Sequence, residues 1–441
     1  MSLVTPSSVE KLQRALQAKA KAEPECRFHQ LYDKLYREDV LTHAYALCRS
    51  HRGAPGVDGV DFDQIESSGV VEWLGKLTQD LKEKSYRSDP VKRVWIPKPD
   101  GSLRPLGVPC IRDRVLQTAA VLILEPIFEV DLQPEQYAYR QGHSAHGAIR
   151  HVHKLVNTGH TEVVDADLSG FFDTIPHAEL MRSVARRISD RQLLALLKQW
   201  LVVAVEEVDE RGRRRRSTVA KDSKRGVPQG APISPLLSSV YMRRFLLGWK
   251  TLGHEQRLNA RIVNFADDFV ICCQETGAEA MSAMRSMMEK LKLSVNEEKT
   301  SLRFLPQESF DFLGYTIGRC YSAQTGKCYL GTRPSKKSVR RAKSKISTIT
   351  ARRTHQVDAD VIVSRLNRLM VGWSNYFQLG PVSPSYTALD RHACHRLRQW
   401  LRGKHRVRGK GLRRYSDEQL YKNYGLVTLA PRTRDLPWAK A

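Results

Sequence analysis

Val163-Val-Asp-Ala-Asp-Leu-Ser-Gly-Phe-Phe-Asp173 is the stretch on which the reading of this chain turns. Its first six residues suit a strand, and side chains alternate across a strand, so Val164, Ala166 and Leu168 leave one face and Asp165 and Asp167 the other. Two carboxylates on one face of an otherwise apolar strand are costly unless a cation or hydrogen-bond donors meet them. Alone, the pair equally describes a strand end with solvated acids. Its counterpart is Arg261-Ile-Val-Asn-Phe-Ala-Asp-Asp-Phe-Val-Ile-Cys-Cys273, where two apolar runs flank Ala266-Asp267-Asp268. That is the layout of a β-hairpin with adjacent acids at its tight turn. Asp is an ordinary turn residue. An Asp-Asp pair, however, lacks the glycine that two-residue hairpins prefer and sets like charges side by side. With this turn beside Asp167, three carboxylates would hold two magnesium ions ~3.5–4 Å apart, as phosphoryl-transfer sites require. Magnesium suits the task because it takes few carboxylates and keeps positions for substrate phosphates.

Two neighbouring stretches fit a nucleoside triphosphate. Ile96-Pro-Lys-Pro-Asp-Gly-Ser-Leu-Arg-Pro-Leu-Gly107 reads as a hairpin carrying Lys98 and Arg104, cations suited to clamping phosphates. Gly226-Val-Pro-Gln-Gly-Ala-Pro-Ile-Ser-Pro-Leu-Leu237 reads as a rigid loop leading into an apolar helix, with Gln229 between Pro228 and Gly230. Each taken singly is also a plain turn or helix start. Strand-like runs at Val91–Pro97, Glu162–Leu168, Arg261–Cys273 and Phe310–Ile317 alternate with helical ones, which makes the class α+β or α/β.

Outside this segment the pattern is helical. Val9, Leu12 and Leu16 predict an amphipathic N-terminal helix, and Arg52–Gly59 is a glycine-punctuated loop. After Gly331 the pattern predicts helices alone, on three apolar stripes: Val339, Ala342, Ile346 and Ile349; Ile362, Leu366, Leu369, Trp373 and Tyr376; Tyr386, Leu389, Ala393, Leu397 and Trp400. Three such helices form a small bundle.

Composition narrows the function. The 441 residues are 41% apolar, enough for a large core, and carry a formal net charge of +25. The charge is uneven: residues 331–441 hold 25 basic and 6 acidic side chains, net +19, and the first 330 hold 47 and 41, net +6. A near-neutral body with a basic C-terminal quarter predicts a polyanionic partner, RNA or DNA. There is no apolar run of membrane-spanning length and no apolar signal segment near the start, so no membrane partner is expected. The eight cysteines form no Cys-x-x-Cys pair, which argues against a zinc ribbon and for a reducing compartment.

The order of these motifs resembles that of the reverse transcriptases encoded within bacterial group II introns, a polymerase joined to a maturase region called domain X. The likeness runs from about Asp33 to the C-terminus. It rests on Pro55-Gly-Val-Asp-Gly59, Lys98-Pro-Asp-Gly-Ser-Leu-Arg-Pro-Leu-Gly-Val-Pro109, Asp167-Leu-Ser-Gly-Phe-Phe-Asp173, Pro228-Gln-Gly230 and Phe265-Ala-Asp-Asp268. Asn296-Glu-Glu-Lys-Thr300, Phe312-Leu-Gly-Tyr315 and Gly372-Trp-Ser-Asn-Tyr-Phe377 complete the series, the last looking like the hallmark of domain X. The resemblance implies an α+β right-hand polymerase of fingers and palm followed by an all-helical thumb and maturase domain. The expected division is 1–50 an N-terminal helical extension, 51–330 fingers and palm, 331–401 thumb and domain X, and 402–441 a basic nucleic-acid-binding segment.

Carried over by position, the resemblance makes Asp167, Asp267 and Asp268 the carboxylates holding two Mg2+ ions, with the Leu168 carbonyl a further ligand. Phe172 would wall off the ribose 2′ position. Lys98 and Arg104 would grip the triphosphate, Gln229 would line the nucleotide pocket, and Lys299 would protonate departing pyrophosphate. Phe312, Leu313 and Gly314 would form the primer grip, and Lys336, Lys337, Arg340 and Arg341 would contact intron RNA. The implied partners are group II intron RNA, an RNA template with a DNA primer, target DNA and deoxynucleoside triphosphates, in a bacterial cytoplasm and on the nucleoid. Phe265 stands where the family usually has Tyr, Ser238-Ser239 where it has Ala-Asn, and Gln141 where Pro is common; none removes a charged group from the site. The cysteine pairs of the zinc-containing endonuclease found in many relatives are lacking, so second-strand cleavage is not expected.

His143, His146, His151 and His153 read as template contacts or plain surface, not as a metal site, since no Cys or carboxylate joins them. Arg213–Arg216 opposite Glu206–Glu210 reads as a self-paired hairpin. Rival readings are a non-catalytic RNA-binding splicing maturase, a defence- or CRISPR-associated reverse transcriptase, and a metal-dependent nucleotide-sugar transferase.

Overall fold

A computed structural model describes residues 3–97, 103–208, 213–322 and 325–433. At its centre is a four-stranded sheet of order β6-β7-β3-β8, built from β3 (Glu162–Ala166), β6 (Ala260–Phe265), β7 (Asp268–Cys273) and β8 (Ser301–Phe304). All its pairings are antiparallel. Alternation along the strands splits the sheet into two apolar faces. Val164, Ala166, Ile262, Phe269 and Ile271 join the main core. Val163, Val263, Val270 and Cys272 join a second cluster with Ala148, Ile149 and Val152 of the helix Ala145–Asn157. By parity with Val163, the side chains of Asp165 and Asp167 belong to that second face.

A second sheet, of order β2-β1-β4-β5, contains β1 (Val91–Pro97), β2 (Leu103–Val108), β4 (Val205–Val208) and β5 (Arg214–Ser217). β1 and β2 form the expected hairpin, with Ile96 opposite Arg104. The expected β4–β5 hairpin is also present, with Glu206 opposite Arg216 and an Arg214–Glu206 ion pair at 3.4 Å. The N-terminal helix α1 (Ser7–Ala22) buries Val9, Leu16 and Ala20 in the main core. It is also held through Arg187, which donates to the carbonyls of Ala20 and Glu23 while forking onto Asp131 at 2.8 Å through two nitrogens.

The structure redraws one expected strand. Phe310–Ile317 is β9 (Phe310–Phe312) and β10 (Tyr315–Tyr321), folded back so that Phe312 pairs with Tyr315 around Leu313 and Gly314. Positive φ at both turn residues, +49° and +81°, is the reason a continuous strand is impossible here. β10 then pairs along its length with β11 (Cys328–Pro334), so strand structure continues past residue 331, where helices alone were expected.

The C-terminal region is a bundle of α2 (Lys336–Ile349), α3 (Ala359–Tyr376) and α4 (Ser383–Lys404), the three helices expected from the apolar stripes. Residue 402 falls inside α4, and the chain beyond it packs back on the bundle. Tyr415, Leu420, Leu426 and Leu429 are buried in the same cluster as Ile346, Leu366 and Trp400. Asp390 fastens this return by accepting from the backbone of Leu429 (3.0 Å) and Ala430 (3.1 Å) and from the Thr428 hydroxyl (3.1 Å). Residues 402–433 are therefore part of the helical core as well as basic. The sequence pattern missed this because the buried residues after 404 are spaced by turns instead of one long helix. No helix among the described residues is long and apolar enough to cross a membrane.

Candidate active site

The β6–β7 hairpin closes with Phe265 opposite Asp268, leaving Ala266 and Asp267 as the turn. Ala266 takes φ of +60°, a conformation usually given to glycine. The buried Asn264 holds it there: its side-chain amide donates to the Ala266 carbonyl at 2.8 Å. Asn264 is itself clamped by backbone bonds to Glu135 and Tyr137. Asp267 therefore sits in the turn and Asp268 opens β7. Register does the rest. Asp165 pairs with Val270 and Ala166 with Phe269, so Asp167 leaves the end of β3 beside Asp268 at the start of β7.

Burial and the mutual charge of these acids both raise the pKa values of Asp268 and Asp165. Desolvation pushes Asp268 up to about 6, helped by the negative charges of Asp267 and Asp167 and opposed by Lys299. Asp165, half-buried beneath them, is pushed up to about 7 by desolvation and then by Asp268, with Arg303 opposing. Such a cluster favours a bound cation, and its donors are hard oxygens of the kind magnesium takes. In the bridge to Val295, the bonds run from Asn296 N–H to the Asp167 carbonyl and from Ser169 N–H to the Ser294 carbonyl, so the Leu168 carbonyl points away from that bridge.

Asp167 has further partners from the segment Asn296–Thr300. The Lys299 ammonium lies 2.9 Å from its carboxylate and the Asn296 amide 3.3 Å. Lys299, expected as a proton donor to pyrophosphate, is thus an ion-pair partner of Asp167. Asn296 is a site residue to which the sequence reading gave no role. Among the described residues, the group of His, Cys and acidic donor atoms that converges within 4.8 Å is that of Asp89, Cys110 and Asp113. That group is already satisfied: Asp113 accepts from the Tyr86 hydroxyl and the Asp89 N–H, and burial pushes the Cys110 thiol up to about 12.

The residues expected to line a nucleotide form a chain of contacts across three segments. Arg104 Nε donates to Gln229 Oε1 (3.1 Å), and Gln229 Nε2 donates to Asp173 Oδ2 (2.9 Å). The Gln229 carbonyl accepts from Gly107 N–H at 2.7 Å. Gly230 permits this approach, since a Cβ there would meet the Gly107 carbonyl at 2.7 Å. Asp173 orients the Gln229 amide, a role the sequence did not reveal. Phe172 is buried on the short helix Phe171–Thr174, and its carbonyl accepts from Val227 N–H at 2.6 Å. Tyr139 is a second missed residue. Its backbone φ is +59°, and its phenol is pushed up by desolvation and then by the charge of Asp267, with Arg104 opposing. Nothing in the pattern around it signals this position. Lys98 lies outside the described residues.

Phe312, Leu313 and Gly314 form the β9–β10 turn, with Phe312 buried in the cluster on the Val163 and Val270 face of the central sheet. Lys336, Lys337, Arg340 and Arg341 are exposed on the first two turns of α2. That helix has no acidic residue in its first turn, so two lysines add to the positive end of the helix dipole. Among the four histidines, His151 and His146 make contacts within the protein: His151 Nδ1 is 3.0 Å from the Tyr137 hydroxyl, and His146 donates to the Tyr376 carbonyl at 2.6 Å.

Comparison with known proteins places the chain in a family. Residues 96–317 match the family model described as reverse transcriptase (RNA-dependent DNA polymerase), and residues 339–416 that of the group II intron maturase-specific domain. Protein YkfC of Escherichia coli is 33% identical over 75% of this chain and 93% of its own length. The group II intron-encoded protein LtrA of Lactococcus lactis subsp. cremoris is 30% identical over 66% of this chain, which spans 57% of LtrA. A putative COX1/OXI3 intron 1 protein of Saccharomyces cerevisiae is 25% identical over 63% of this chain and 38% of that protein. The chain belongs to the reverse transcriptase (RNA-dependent DNA polymerase) family and is of the group II intron type, its polymerase region followed by a maturase-specific domain.

Proposed function

We propose that this chain extends a DNA primer on an RNA template by nucleotidyl transfer at Asp167, Asp267 and Asp268, and that its helical C-terminal domain holds group II intron RNA in splicing-competent form. The observation that carries the polymerase reading is that β3 ends beside the start of β7, at Ala166 opposite Phe269, with Asp267 in the adjoining turn and the charges of Asp167 and Asp267 both acting on Asp268. Two Mg2+ ions bound to these carboxylates and the Leu168 carbonyl would lower the charge barrier to attack of a primer hydroxyl on the α-phosphate. Lys98 and Arg104 hold the β- and γ-phosphates, and Gln229, oriented by Asp173, lines the base and sugar. Phe172 closes the 2′ side of the ribose and favours deoxynucleotides. Lys299 pairs with Asp167, and with Mg2+ held at Asp167 the Lys299 ammonium would be the group to supply a proton to pyrophosphate. On the RNA side, the reading rests on the exposed cations of α2 and the basic return of residues 402–433. Target DNA is the substrate that intron mobility adds.

Primer extension on an RNA template with deoxynucleotides and magnesium, run beside an Asp267→Ala, Asp268→Ala variant, tests the catalytic half. Extension by the parent and none by the variant is expected. No extension by either, with tight and salt-sensitive RNA binding retained, would replace this reading with that of a binding-only maturase.

A further inference from the structure

The Leu313-Gly314 turn is strained and is not self-supporting. Both residues have positive φ, +49° and +81°, and at the first of them stands leucine, a branched residue that pays for the left-handed region with a steric clash. Such a conformation persists only where its surroundings over-determine it. Here both turn carbonyls are held, and all of the holding groups come from the helical domain. The Tyr376 hydroxyl donates to the Leu313 carbonyl at 2.8 Å. The Ser338 hydroxyl and the Ser335 N–H donate to the Gly314 carbonyl at 2.9 and 3.0 Å.

Tyr376 is itself fixed from the opposite side. Its carbonyl, at the end of α3, accepts from the Tyr315 hydroxyl at 2.5 Å and from His146 Nε2 at 2.6 Å. Its ring lies 5.3 Å from the His146 ring. The next residue, Phe377, packs between Trp373 (4.5 Å) and Tyr315 (5.0 Å), and a Cβ on Gly314 would meet its ring at 3.3 Å.

We infer that Tyr376 and Ser338 are positioning residues for the primer terminus: the end of the Gly372–Phe377 motif and the first turn of α2 form a latch that keeps the Leu313-Gly314 turn in its strained shape. The motif on α3 that marks the maturase domain thereby serves polymerisation. This inference rests on the proposed reading of that turn as the primer grip.

Tyr376→Phe and Ser338→Ala each remove one latch bond and leave rings and backbone in place. Steady-state extension on an RNA template separates the terms. In the double variant KM for primer–template is expected to rise about tenfold, the effect of roughly one to two lost hydrogen bonds, with KM for deoxynucleotide unchanged. Gly314→Val, which perturbs the turn directly, is the companion measurement and is expected to raise the same KM. A rise for Gly314→Val with none for the double variant would overturn the latch and leave the primer grip standing. No rise for Gly314→Val would remove the primer-grip assignment and the latch with it. Equal rises in both KM values for the double variant, or a loss of its native circular dichroism, would reduce these residues to general scaffolding and overturn the inference.

Discussion

Neutralising Lys336, Lys337, Arg340 and Arg341 together to Gln is expected to change how salt weakens RNA binding, and the size of the change can be worked out beforehand. All four side chains are exposed on one helix, and no ion-pair partner is seen for any of them among the described residues. Each is therefore free to meet a phosphate. A neutralised phosphate contributes about 0.7 to 0.9 to the slope of log K against log salt, so four of them contribute about 3. Between 1 M and 0.15 M salt a slope of ~2.8 amounts to a factor of about 200, or about 3 kcal/mol. Fluorescence anisotropy of labelled intron RNA across a potassium chloride series reads the slope directly. The variant should lose about three units of slope and bind about 200-fold more weakly at 0.15 M, with its melting temperature nearly unchanged because exposed substitutions cost little. A slope that falls by less than one unit would refute the argument, placing the RNA on other cations of the chain.

Two further outcomes follow, one from the buried Asp113 and one from the exposed Asp173. Asp113 is raised by burial from 3.8 to about 7 on folding, so the folded state binds a proton the unfolded state has released. Its contribution is fully present below about pH 4 and is lost as pH rises towards 7. Asp113→Asn should flatten this pH dependence in thermal melts between pH 5 and 8, and a parent-like slope in the variant would contradict the assignment. Asp173→Ala frees the Gln229 amide, whose other side-chain contact is Arg104. It should raise KM for deoxynucleotide by roughly tenfold, the worth of one charged hydrogen bond, while KM for primer–template stays put; the opposite split in steady-state kinetics would sink that role.

Some features were legible because they follow from local pattern. The Asp-x-Asp strand, the second acidic pair between apolar runs and the three helical stripes each carry their periodicity in a short window. Side-chain alternation and the helical repeat act within a few residues. The basic C-terminal quarter is likewise a matter of counting. These observations, with the order of the motifs, were enough for the α+β class and the polymerase and maturase regions. Chain turning was less legible. The Phe312–Tyr315 reversal reads as strand on both sides, and its turn places leucine where glycine or asparagine would have advertised it.

What the tertiary structure alone decided are the partnerships between distant segments. Asp173 orients Gln229 across 56 residues of sequence, Lys299 meets Asp167 across 132, and Tyr376 reaches Leu313 from another domain across 63. Residues 402–433 turned from a basic tail into part of a core through Asp390 and three buried leucines. Local sequence sets which face of a strand or helix is apolar and where charge accumulates. Which carbonyl a given hydroxyl finds depends on how those faces stack, and that is a property of the whole folded chain.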